Sequence, residues 1–190
     1  GCKAGAEATL WVLCLDPGVS ADMVDRPSQY GTLVEMAGAC ENDAGVAAVA
    51  HLCAAVDHSE GLKQLLGLFC RNRSPTGASL LHTAAARGSS SCVALLLHHN
   101  WDPNEPDLAG GTPLHAVSRS GDLAAAALLL EGGAQPGCHT DRLGRHAVDA
   151  ALEAGQSELS DLMEDWDLFR AARRGDEGRV RAVVGLYCLQ

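Results

Sequence analysis

The chain has 190 residues, 47% of them hydrophobic but only 4% aromatic, and a formal net charge of −10. That acidity disfavours binding to a phosphate backbone, and no apolar run approaches the roughly 20 residues of a membrane-spanning helix, so neither nucleic acid nor direct membrane insertion is expected. The scarcity of aromatic residues argues against a large aromatic-lined pocket and for closely packed, small-residue helices.

The start, Gly1-Cys2-Lys3, has no initiator methionine and no clear signal peptide, and reads as a fragment or a processed chain. LWVLCLDPGVSA, residues 10–21, reads as a helix and turn, so residues 1–30 are expected to hold one partial repeat and a linker. GTLVEMAGACENDAGVAAVA, residues 31–50, fits a helix pair with Thr32 as N-cap. HLCAAVDHSEGLKQLL, residues 51–66, fits a helix, a turn at Asp57-His58 and a second helix ending in Leu65-Leu66. The two readings compete for residues 44–54, which serve as the second helix of one unit or the first of the next. Residues 31–73 are therefore divergent repeat sequence of open register.

Residues 77–103 and 110–136 are copies of each other at an offset of 33. Gly77, Leu81, His82, Gly88, Ala94, Leu95 to Leu97 and Pro103 recur as Gly110, Leu114, His115, Gly121, Ala127, Leu128 to Leu130 and Pro136. In the second copy Thr112 is a good N-cap, Pro113 suits the first helical position, and Gly121 ends the helix in the left-handed conformation. Asp122 then caps a second helix whose Ala125, Ala126, Leu129 and Leu130 share a face, and Gly132-Gly133 stop it. Helices of about two turns are marginal alone and must stack on neighbours to bury their apolar faces. Gly144 through Gly155 to Leu162-Met163 reads as a further unit, giving three across residues 74–165. WDLFRAARRGDEGRVRAVV opens a degenerate helix pair over residues 166–190, without a hairpin loop because Gly175 follows Gly155 by only 20 residues.

The run Thr112-Pro113-Leu114-His115, followed by Gly121, Leu129-Leu130 and Gly133-Ala134 and preceded by the turn Asp107-Leu108-Ala109-Gly110, resembles the ankyrin repeat. The resemblance implies an all-α solenoid of helix-turn-helix repeats, each followed by a short hairpin-like loop. It further implies that His82 and His115 bridge backbone groups of adjacent turns, a structural role rather than that of a catalytic base.

The residues that carry chemistry elsewhere are poorly placed for it here. Eight cysteines lie far apart with no CxxC pair, which favours buried thiols in a reducing compartment over a disulfide framework. Cys92, His98, His99, Cys138 and His139 lack ligand-pair spacing, and Cys92 falls on a core position. His51 and His58 are separated by an expected turn. Gly88-Ser89-Ser90-Ser91-Cys92 begins like a nucleophile elbow but lacks the second glycine and a preceding strand. Gly110-Gly111-Thr112 lacks the lysine of a phosphate loop. The carboxylates at 158, 161, 164 and 165 read as an exposed helix face. No catalytic residue, cofactor or metal is expected.

What remains is surface. By resemblance, contacts come from the hairpin tips, which map to Arg71, Arg73, Asp102, Asn104, Glu105, Asp107, Asp141 and Arg142, and from the first-helix positions Thr83, Arg87, Arg119 and Glu153. Trp101 stands where the family has a small alanine, as an interface anchor or as a filler of a local packing gap. The expected function is a non-enzymatic protein-protein interaction module, intracellular in a reducing compartment, cytoplasmic or organellar. Two alternatives stand beside it. One is a subunit held permanently in a large assembly, favoured by the apolar stretches 10–15 and 180–187; the other is a regulatory region of a larger enzyme or channel.

Overall fold

In the computed structural model the chain is described over residues 20–26, 32–38, 43–66 and 73–175. Among these residues all regular structure is helical: α1 (Ala21–Val24), α2 (Leu33–Gly38), α3 (Asp43–Ala55), α4 (Ser59–Leu66), α5 (Leu80–Arg87), α6 (Ser90–His98), α7 (Pro113–Ser120), α8 (Leu123–Glu131), α9 (Ala147–Glu153) and α10 (Ser157–Arg174). From α3 onward they stack in two rows. The first helices α3, α5, α7 and α9 pack side by side, and the second helices α4, α6, α8 and α10 form the row behind them, with α2 against α3 and α4.

Local chemistry explains the repeat. A residue in the left-handed conformation ends each first helix, at Gly88 (φ 69°) and Gly121 (φ 75°), where the absence of a Cβ makes the turn cheap. Asp57 holds the same place at φ 56° without that advantage. The row of second helices is filled by Leu62 and Leu65 of α4, Val93 and Leu96 of α6, Ala126, Leu129 and Leu130 of α8, and Leu159 and Met163 of α10, all buried. Leu81 and Leu114 do the same for the first helices. Ser118 is buried between repeats, its hydroxyl within 2.9 Å of Leu114 O and 2.7 Å of Ala147 O.

The contested stretch 44–54 belongs to one helix, α3, whose neighbours make it a first helix, paired with α4 and packed on α5. It is 13 residues long against 8 in α5 and α7, extended at its N-terminal end. His51 therefore meets the next repeat at a helix rather than a loop, with Nδ1 2.7 Å from Thr83 Oγ1.

At the other end, α10 runs unbroken for 18 residues through Trp166, where the sequence pattern places the start of a new helix. The segment Met163-Glu164-Asp165-Trp166 contains neither glycine nor proline, and without a hairpin loop nothing reverses the chain before Gly175, which has φ 70°. Residues 1–19 and 176–190 lie outside the described residues, and so do the expectations placed on them.

Candidate functional site

Three turns project from the ends of the first helices and are built alike. Ser74, Asp107 and Asp141 each open a turn closed by a backbone hydrogen bond from their own N–H to the carbonyl four residues on, in Ala78, Gly111 and Arg145, at 2.9, 2.8 and 3.0 Å. Asp107 Oδ1 accepts from the N–H of Ala109 (2.7 Å) and Gly111 (2.9 Å). Asp141 Oδ1 accepts likewise from Leu143 (2.8 Å) and Arg145 (3.1 Å). Hydrogen bonding from the Arg145 side chain drives the Asp141 carboxyl down to about 2, so it stays ionised throughout the physiological range.

The turns are joined to one another. His82 takes the Ser79 N–H on Nδ1 (3.2 Å), which leaves Nε2 protonated to donate to Gly111 O of the next turn at 2.9 Å. His115 repeats the arrangement with Thr112 N–H at 3.1 Å and Arg145 O at 3.1 Å. Burial, outweighing these carbonyl bonds, holds both imidazoles below the ordinary histidine range. In the last repeat His146 occupies the N-cap and Asp149 the place of the bridging histidine, its Oδ2 accepting from His146 N–H, so the bridge ends there.

The residues expected at the tips divide by what they touch. Arg73 donates to Gly77 O and Pro106 O and pairs with Glu105, fastening one turn to the next. Asn104 bridges repeats, donating to Gly133 O at 3.1 Å and accepting from Gln135 N–H at 2.8 Å. Asp102 accepts from Asn104 N–H, and Asp107 and Asp141 hold their own turns as above. Thr83 is bonded to His51, and the exposed Glu153 pairs with Arg145. Trp101 is half-buried and packs on the core. Arg87 is half-buried, Arg119 and Arg142 are exposed, and Arg142 donates to Leu108 O at 3.1 Å. Arg71 lies outside the described residues.

Two further residues enter the tip surface. Leu108 is 67% exposed and Leu143 is 72% exposed. They flank Arg142, the one through its carbonyl and the other along the chain. The sequence signal for both is a leucine inside a turn that opens on Asp and carries a Gly, Asp107-Leu108-Ala109-Gly110 and Asp141-Arg142-Leu143-Gly144. Chemically this strip offers two apolar contacts and a guanidinium. Burial, with Asp57 nearby, pushes the Cys92 thiol well up, so it is held protonated. Among the described residues no group of three or more His, Cys, Asp or Glu is arranged to hold a metal.

Residues 50–140 match the family model for ankyrin repeats, in three copies. This segment is an ankyrin-repeat array. Part of the chain is also similar to part of several longer curated proteins. It is similar to the ADP-ribosylation factor GTPase-activating protein AGD4 of Arabidopsis thaliana, 40% identical over 79 residues, which cover 42% of this chain and 10% of that protein. It is 34% identical over 87 residues to the potassium channel GORK of Arabidopsis thaliana, covering 46% of this chain and 10% of the channel. Protein phosphatase 1 regulatory subunit 12A of Rattus norvegicus is 30% identical over 99 residues, covering 52% of this chain and 10% of that subunit. The chain thus spans about a tenth of the length of these relatives. No helix among the described residues is long and apolar enough to cross a membrane.

Proposed function

We propose that the ankyrin array is a non-catalytic docking module that binds a partner protein along its hairpin tips and the adjoining ends of the first helices. The observation that carries this reading is the pair of exposed leucines, Leu108 and Leu143, held on rigid turns on either side of Arg142. Turns fixed by carboxylate and histidine bonds present these side chains with little conformational entropy left to lose on binding. Arg119 is exposed in the last turn of α7, at the far end of that helix from the tips, while Arg73, Asn104, Asp107 and Asp141 act behind the tips as their frame.

A second reading is favoured by the relatives: each is a much longer protein of different activity carrying a similar array, a GTPase-activating protein, a channel and a phosphatase regulatory subunit among them. The array is then the regulatory or targeting region of a larger protein. The two readings agree on the surface and differ in whether the partner lies on the same polypeptide.

The test is purification from the native source of the wild-type chain and of a Leu108→Asp, Arg142→Glu, Leu143→Asp variant under gentle conditions. The variant is expected to keep its helicity and urea midpoint and to lose the proteins that travel with the wild type. Recovery of the same proteins in the same amounts by both would move the interface elsewhere.

A further inference from the structure

We propose that Ser74 is a phosphorylation site for a proline-directed serine/threonine protein kinase, and that its turn is already shaped to hold the product. Of the seven prolines, only Pro75 and Pro113 follow a hydroxyl residue. The Thr112-Pro113 pair is closed to an enzyme, because Thr112 is 2% exposed and bonded to His115. Ser74 is half-buried at a projecting turn, with Pro75 and Thr76 exposed beside it.

The repeat supplies the second argument. Ser74 stands where the following turns have Asp107 and Asp141, and its Oγ accepts from Ala78 N–H at 3.1 Å as those carboxylates accept from Gly111 and Arg145. It also lies 2.7 Å from Thr76 Oγ1, at the position from which the second N–H bond comes in the aspartate turns. This is the one turn of the three that lacks its anion. A phosphate on Ser74 restores it, with three acceptor oxygens and nearly two negative charges.

Ser74 Oγ attacks the γ-phosphorus of a nucleoside triphosphate. The new O–P bond forms as the bond to the bridging oxygen of the leaving nucleoside diphosphate breaks, and the hydroxyl proton passes to the kinase base. The dianion then competes for the adjacent Arg73, whose guanidinium fastens this turn to Glu105 and Pro106 of the next. Phosphorylation thereby loosens one hairpin from its neighbour without melting either.

The purified chain is incubated with proline-directed kinases, magnesium and ATP, beside a synthetic peptide covering residues 69–80, and the phosphate is placed by mass spectrometry. The expected result is modification of Ser74 in the folded chain at a rate within tenfold of the peptide, none on Thr112, and loss of the signal in Ser74→Ala. The phosphorylated chain and Ser74→Asp are expected to keep the urea midpoint of the unmodified protein, with faster amide exchange confined to residues 105–109. A folded chain left unmodified at Ser74, whether or not the peptide reacts, overturns the proposal. So does a modified chain whose midpoint collapses.

Discussion

At the scale of single residues the two bridging histidines decide how the array responds to acid. Each is held neutral, accepting one backbone N–H and donating to a carbonyl of the next turn, and protonation of Nδ1 would set a donor against a donor. Their folded-state affinity for the proton is depressed by burial, so the unfolded chain binds more protons and stability rises with pH. The contribution is complete above the ordinary histidine value of about 6.5 and is lost as pH falls below it. The urea midpoint is expected to fall between pH 7.5 and 5, where ordinary carboxylates change little. A His82→Asn, His115→Asn double variant should start lower at pH 7.5, by about 1 kcal/mol for each inter-turn bond, and show a flatter pH profile. An unchanged slope in the variant would assign the acid sensitivity to other groups.

Also at this scale, the left-handed glycines that end α5 and α7 are not equivalent. A Cβ at Gly121 would come within 2.6 Å of the Gln156 side chain, whose flexible end can move away. A Cβ at Gly88 would strike the Asp122 carboxylate, which caps α8 through Ala124 and Ala125 N–H. Gly121→Ala should cost about 1 kcal/mol from backbone strain, whereas Gly88→Ala adds the loss of a cap and should cost about 2–3 kcal/mol. Thermal unfolding of the pair measures the difference.

At the scale of elements, helix α6 gets its cap from the preceding repeat. Its own N-cap Ser89 makes no side-chain cap bond, and Asp57 instead accepts from Cys92 N–H at 3.0 Å and Ser91 Oγ at 2.9 Å. Asp57→Gly removes the cap and relieves the left-handed strain, while Asp57→Ala removes the cap and keeps the strain. The alanine variant is expected to be the less stable by about 1 kcal/mol, with both below wild type. A glycine variant more stable than wild type would show the cap to be worth less than the strain.

Elements also show where sequence reasoning stops. Thr112, Pro113, Gly121 and Asp122 declare α7 and the start of α8 through local chemistry, and His115 declares its bridge through the motif around it. The register of α3 is illegible for a physical reason: Val46 through Ala50 and Leu52 through Ala54 are all buried, so the helix has no polar face from which to read its period. The Asp57 cap joins residues 35 apart and leaves no local trace. The tip surface is legible in position but not in role. Asn104, Asp107 and Asp141 look like polar contact residues in sequence, and only the coordinates show their polar atoms turned to neighbouring backbone. Leu108 and Leu143 lie within turn sequence, and only the coordinates show how far their side chains stand out.

At the scale of the whole molecule, each repeat touches only its neighbours, so damage should spread according to position in the stack. Leu129 and Leu159 are both buried leucines of the second-helix row. Truncation of either to alanine costs about 2–5 kcal/mol. Leu129→Ala, in the middle, is expected to lower amide protection on both sides of α8. Leu159→Ala is expected to release α9 and α10 while α5 to α7 keep their protection. Equal loss of protection throughout the array in the second variant would show that it unfolds as one unit.

The shared cap has a consequence for how such a chain can change by duplication or loss of whole repeats. Removing the 33 residues from Gly77 to Ala109 would bring Asp57 against Asp122, two carboxylates crowding one helix start. Doubling that stretch would leave the copied α6 with Gly88 before it and no carboxylate at all. The units look interchangeable by sequence likeness, yet their order is written into which side of each junction carries the acid.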